Sequence, residues 1–190
     1  MRRIISPLMV IAIAIRTTDN TQDRGRDRGP LFDCVGRDEL IQAKRVIFVC
    51  LGNICRSPTT HGIFRDKAAQ AGLDVVIDSA GTGDWHIGSP PDTRATHAAQ
   101  ARGYDLSDLR ARQFTASDFD QFDLILAMDR ANMRAIEALR PAKSMTPVLL
   151  FRELLGQPDS DVPDPYFDGS FDHVLDLIEE GADALLARMN

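Results

Sequence analysis

Cys50 and Arg56 bracket five residues in the run Cys50-Leu51-Gly52-Asn53-Ile54-Cys55-Arg56-Ser57-Pro58. A cysteine attacks as its thiolate, and a helix N-terminus together with a nearby arginine favours that form. Arginine also presents a planar fork of donors that matches two oxygens of a phosphoryl group. Gly52 and Asn53 are residue types that tolerate positive φ, so the segment can turn its successive N–H groups inward as an anion nest. Ser57 suits a helix N-cap and Pro58 suits N1, which would open the nest onto a helix N-terminus already favourable to anions. The chemistry these groups imply is transfer of a phosphoryl group to sulfur, a reaction in which positioning and charge stabilisation do most of the catalysis. Cys55 lies in the same loop, either as a packing residue or as a partner for an oxidised Cys50. A bare Cys-x5-Arg spacing is weak; the apolar run before it, Gly and Asn within it and Ser-Pro after it give it specificity.

Expelling an alkoxide or phenolate from a phosphate ester is eased by a proton donor. The segment 159–168 is the chain's most Asp- and Pro-rich, and Asp159, Asp161, Asp164 and Asp168 compete for that role. Asp164 alone lies between two prolines, Pro163 and Pro165. A following proline restricts a residue to extended conformations, which narrows where its carboxyl can be. Asp164 is therefore the candidate acid.

The elements that must position these groups follow from periodicity. Residues 46–49 are β-branched or aromatic without interruption, the pattern of a strand buried on both faces. Cys50 then sits at the carboxyl end of a strand, where open α/β sheets bind ligands. Residues 57–71 predict a helix, 75–78 a strand, 92–102 a helix, 122–128 a strand, 130–139 a helix, 148–151 a short strand and 171–189 a final helix. This succession implies an α/β fold in a single domain: a mainly parallel central sheet flanked by helices on both faces. The Gly- and Pro-rich stretch 81–91 carries the only tryptophan, Trp85, and is a candidate cleft wall.

Of 190 residues, 44% are hydrophobic and 26% charged, a globular composition. A net charge of −6, with no basic stripe interleaved with aromatics, argues against nucleic acid as a partner. His61, His86, His97 and His173 are scattered without metal-ligand spacing, so no metal is expected. The loop donors and Arg56 suffice to neutralise a phosphate, and no organic cofactor is implied.

Residues 1–43 read as an extension preceding a domain at 44–190. Residues 1–15 have the charged start and short apolar core of a secretory signal but are too short to span a bilayer, so no stable membrane insertion is expected. Residues 16–28 have no apolar period and read as disordered. An oxidising compartment would favour joining Cys50 to Cys55, so the expectation is a cytoplasmic protein whose extension is a tail or an early translation start; export or surface anchoring is the alternative. No role is assigned to Cys34.

The run from Cys50 to Pro58 resembles the signature of the low-molecular-weight protein tyrosine phosphatases. The resemblance extends to Ser79-Ala80-Gly81-Thr82, Ala127-Met128-Asp129 and Asp164-Pro165-Tyr166-Phe167, over about residues 44–190. It implies a phosphomonoester hydrolase that removes phosphate from phosphotyrosine-containing proteins through a cysteinyl-phosphate intermediate. Cys50 matches the nucleophile, Arg56 the phosphate-binding arginine and Asp164 the acid that protonates the leaving phenol. Asn53 and Ser57 match the residues that hold the loop and hydrogen-bond the thiolate. Trp85, Tyr166 and Phe167 match the aromatic rim of the substrate cleft. Many members carry two tyrosines where this chain has Tyr166 and Phe167, so regulation through a tandem tyrosine pair is not implied. Some arsenate reductases resemble this family in fold but finish with cysteines farther along the chain, and no cysteine follows Cys55. Arginine phosphatases of the same family typically have Thr where Ile54 stands. A module that senses phosphate without turnover is the reading from another class.

Overall fold

The structure is a computed structural model that describes residues 42–190. The expectations for residues 1–41, Cys34 and the signal-like segment among them, lie outside the described residues.

Strand β1 (Arg45–Cys50) is buried at every position after the first, as an unbroken β-branched and aromatic run requires. It pairs in parallel with β2 (Val76–Gly81) on one side and β3 (Leu124–Ala127) on the other, and β3 pairs with β4 (Val148–Leu150). The sheet order is β2-β1-β3-β4, and Val46 is in register with Ile77 and Leu124. The chain leaves β1 first to one side and later to the other, so the strand order reverses at β1 and β3. Their carboxyl ends form the crevice where such sheets take ligands.

Alternation along β1 builds two cores. Val46 and Phe48 face a cluster with Ile63 and Phe64 of helix α1 (Arg56–Ala71) and Val174, Ile178 and Leu185 of the C-terminal helix (Phe171–Met189). Phe48 meets the rings of Phe64 and Phe151 edge to face, at centroid separations of 5.7 and 6.1 Å. Ile47 and Val49 face the other layer, with Phe114, Phe119 and Ile136. Ala43, two residues before β1, is buried in the first core.

Between these lie α2 (Thr93–Ala101), the short α3 (Asp118–Gln121), α4 (Arg130–Glu137), a 3-10 segment (Phe151–Leu155) and the one-turn α5 (Pro165–Asp168); the C-terminal helix is α6. The expected α/β succession is present, with helices on both faces. Four differences have physical reasons. β2 runs three residues past 78, because Ser79, Ala80 and Gly81 continue its pairing with Phe48, Val49 and Cys50. Residue 151 belongs to the 3-10 segment that β4 runs into, with its side chain in the core. α3 and α5 have four residues each, too few to display a 3.6-residue period. α1 begins at Arg56 with Cys55 as its N-cap, so Ser57 is not the cap and Pro58 is the third helical residue. Proline is tolerated there because a first-turn N–H has no intrahelical acceptor. Among the described residues, no helix is long and apolar enough to cross a membrane.

Candidate active site

The loop between β1 and α1 wraps the sulfur of Cys50. Asn53 takes φ 54°, the one non-glycine residue with positive φ among those described, and its backbone N–H donates to Cys50 Sγ at 3.2 Å. Gly52 does not need positive φ, contrary to expectation. A Cβ there would lie 3.0 Å from the His86 ring, close enough that the ring would have to shift by a few tenths of an ångström. The Ser57 hydroxyl, released from capping, lies 3.1 Å from Cys50 Sγ and 3.2 Å from the Ala80 carbonyl, with one proton to give to either. The Asn53 N–H and the Ser57 hydroxyl are the two hydrogen-bond donors within reach of the sulfur.

Asn53 also holds the loop in shape. Its Nδ2 donates to Ser57 Oγ at 2.9 Å and to Ser79 Oγ at 3.0 Å, and its Oδ1 accepts the Arg112 backbone N–H at 2.9 Å. Arg112 is itself fixed by Asp78 and the buried Asp118. Behind Ser79, 3.4 Å from its hydroxyl, lies Nδ1 of His61, whose pKa burial pushes down to about 4. A neutral imidazole can accept the Ser79 proton, leaving the Ser79 oxygen to accept from Asn53.

Arg56, 3% exposed, reaches across the loop to the segment after β3 and the segment before α5. Nη1 donates to Asp129 at 2.7 Å and to the Val162 carbonyl at 3.0 Å; Nη2 donates to Asp164 at 3.0 Å. Its buried Nε has no hydrogen-bond partner. Buried polar groups are normally satisfied, and a free guanidinium edge beside the loop is what a phosphoryl oxygen would occupy.

Of the four competing aspartates, Asp164 is the one that reaches Arg56. Asp161 pairs with Arg130, and Asp168 accepts from Ser170. Asp164 is extended (φ −92°, ψ 107°), as its neighbour Pro165 dictates, and its Oδ1 accepts the Tyr166 N–H at 3.2 Å to cap α5.

These groups enclose a cavity of about 190 Å³ with Cys50, Leu51, Gly52, Ile54, Cys55 and Arg56 at its base and sides and Asp164, Trp85, Tyr166 and Phe167 around it. Trp85 is 68% and Phe167 83% exposed, so the rim is aromatic and open to a partner. Tyr166 and Phe167 meet edge to face at 5.3 Å. Cys55 is buried against Ala95 and Phe171 as a free thiol, and burial, with the charges of Asp92 and Cys50 adding to it, pushes its pKa up to about 12. In this state it packs as an apolar residue. Among the described residues, no group of three or more His, Cys, Asp and Glu could hold a metal ion.

Sequence reasoning assigned no role to several residues of the site. Asp129 follows a strand end at the point where strand order reverses, a position that could have flagged it. His86 lines the cavity beside Trp85, in the loop already singled out. Arg112 contributes a backbone N–H, which no side-chain pattern announces.

The low molecular weight phosphotyrosine protein phosphatase family model matches residues 45–190. The low molecular weight protein-tyrosine-phosphatase YfkJ of Bacillus subtilis is 42% identical over 145 residues, covering 75% of this chain and 93% of YfkJ. The low molecular weight protein-tyrosine-phosphatase of Streptomyces coelicolor is 42% identical over 151 residues, covering 75% of this chain and 92% of that one. The crystal structure of YfkJ superposes with a TM-score of 0.72, covering 75% of this chain and 92% of that one. A protein tyrosine phosphatase from Entamoeba histolytica, with Hepes in its active site, superposes at 0.71 with 31% identity, covering 76% of this chain and 96% of that one.

Proposed function

Because the chain belongs to the low molecular weight phosphotyrosine protein phosphatase family, we propose that it hydrolyses phosphotyrosine in proteins, with Cys50 as nucleophile, Arg56 as phosphate ligand and Asp164 as acid and then base. The observation that carries this reading is the Cys50 sulfur held by two donors at the base of a cavity, with the unengaged Nε of Arg56 and the carboxyl of Asp164 beside it.

In the first step Cys50 Sγ attacks phosphorus while the bond to the phenolic oxygen breaks. Asp164 gives that oxygen a proton, and a thiophosphate forms. The loop N–H groups and Arg56 hold the equatorial oxygens, where negative charge is spread in the transition state. Water then attacks phosphorus, Asp164 takes its proton, and the S–P bond breaks to return the thiolate and free phosphate. The aromatic rim of Trp85, Tyr166 and Phe167 suits an aryl ester on a protein. No metal or organic cofactor takes part in this scheme. A nucleophilic thiol so close to a second thiol needs a reducing setting, which supports a cytoplasmic location. Residues 44–190 form the phosphatase domain, and residues 1–43 are an extension to it.

Turnover by the full chain on phosphotyrosine, phosphoserine, phosphoarginine and arsenate tests this reading. Phosphotyrosine should be hydrolysed fastest, with a phosphoenzyme trapped by rapid acid quench. Cys50→Ser should lose nearly all turnover, and retention of more than ~1% would remove Cys50 as the nucleophile.

A further inference from the structure

The phosphate loop and the acid segment lie on different parts of the chain, and Arg94 joins them. At the start of α2, the Asp92 N–H donates to the Ile54 carbonyl at 2.8 Å, which ties the helix start to the phosphate loop. The Asp92 carboxylate caps α2 by accepting the Arg94 N–H at 2.8 Å. It also receives the Arg94 guanidinium as a two-bond fork, Nε at 3.0 Å and Nη2 at 2.9 Å. The guanidinium lies over the rings of Tyr166, 5.0 Å from the centroid, and Phe171, at 4.9 Å. Its Nη1 donates to the Tyr166 carbonyl at 3.2 Å. Tyr166 in turn presents its N–H to Asp164 Oδ1. The path from loop to acid is therefore continuous: Ile54, Asp92, Arg94, Tyr166, Asp164. Both ends of the Asp92–Arg94 pair stay charged under working conditions, since each shifts the other's titration away from neutrality.

We propose that Arg94 is a positioning residue for Asp164, fastening the acid segment to the phosphate loop so that the carboxyl meets the leaving oxygen. The proposal rests on the assignment of Asp164 as the general acid. A lysine cannot replace the device, because a point charge offers neither the fork to Asp92 nor a flat face for two rings. Misplacing a catalytic group by about 1 Å can cost about a hundredfold in rate, so the effect should be visible in kinetics while the phosphate loop itself stays intact.

The experiment compares full-chain wild type, Arg94→Gln, Arg94→Lys, Asp164→Asn and the Arg94→Gln/Asp164→Asn double variant on aryl phosphates running from p-nitrophenyl phosphate to phosphotyrosine. Arg94→Gln should lower kcat/KM, which reports formation of the phosphoenzyme and not its hydrolysis, about ten- to hundredfold on phosphotyrosine and by no more than about threefold on p-nitrophenyl phosphate, because an activated phenolate needs little proton donation. Arg94→Lys should recover only part of the loss. Inhibition by inorganic phosphate should be unchanged in both Arg94 variants, a reading that damage to the fold would move. In the Asp164→Asn background, Arg94→Gln should have no further effect. An equal loss on every leaving group, no loss at all, or a loss that persists undiminished without Asp164 overturns the role of Arg94. If Asp164→Asn itself shows no dependence on leaving group, the acid assignment fails, and the role of Arg94 falls with it.

Discussion

Asn53 fills three roles with one side chain and one φ angle. Its left-handed backbone aims an N–H at Cys50, its amide nitrogen bridges Ser57 and Ser79, and its amide oxygen takes the Arg112 N–H. The roles separate by substitution. Asn53→Gly keeps the backbone conformation and loses the side-chain bonds, so turnover should fall about ten- to hundredfold, the loss expected when the loop that positions the nucleophile is no longer held in shape. Asn53→Ala should lose the same turnover and, by urea denaturation, about 1 kcal/mol more stability than the glycine variant, since an alanine is strained at positive φ. Equal stabilities would deny the backbone role. Asn53 could be recognised by type as a residue that accepts positive φ, and Cys50, Arg56 and Asp164 by spacing and by their proline and strand context. Ser57 was misplaced because its hydroxyl suits two acceptor geometries in one turn. A cap would bond the helix N–H groups; the nearby sulfur and Asn53 amide engage the hydroxyl instead, and sequence contains no measure of that competition.

At the scale of elements, β2 is the wall on which the phosphate loop rests. Gly81 ends that strand opposite Cys50, and a Cβ there would lie 2.9 Å from the Leu51 carbonyl oxygen and 3.1 Å from the Asn53 backbone nitrogen. Those are backbone atoms of the loop and cannot step aside like the end of a flexible side chain. Gly81→Ala should therefore displace the loop, cutting kcat/KM on phosphotyrosine at least about tenfold while costing about 1 to 3 kcal/mol in stability. A variant with full activity would show that the loop has slack. The long elements were legible because their burial repeats: β1 by an unbroken apolar run, α6 by its stripe of Val174, Ile178 and Leu185. The end of β2 was not. Ala80 and Gly81 have low strand propensity, and with Ser79 they extend because they pair with β1, Gly81 having no room for a side chain beside the loop.

Across the whole molecule, alternation of strands and helices indicated a parallel sheet, but strand order is a choice among right-handed crossovers that periodicity does not make. That choice matters most for function, because it sets Asp129 beside the end of β1 and brings Asp164, more than a hundred residues along the chain, to Arg56. The partners described for each site group come from residues 45–190, the span the family model matches, and Ala43 is in the core. Removing residues 1–41, which spares Ala43, should leave kcat/KM on phosphotyrosine essentially unchanged; a large loss would make the extension part of the enzyme.

The unpartnered Nε of Arg56 also bears on how the protein resists heat. A buried donor without an acceptor costs about 1 to 3 kcal/mol, and an oxyanion that engages it should relieve part of that cost only in the native state. Binding and folding are then linked by mass action. Inorganic phosphate at about a hundred times its dissociation constant should add about 2.7 kcal/mol to the free energy of unfolding, which for a chain of this length raises the melting temperature by roughly 5 to 10 °C. Sulfate and vanadate should act alike in a thermal-shift assay, and Arg56→Met should respond to none of them. Occupancy of this one site, and hence the local concentration of phosphate that the enzyme itself produces, would set how long the molecule survives near its melting point.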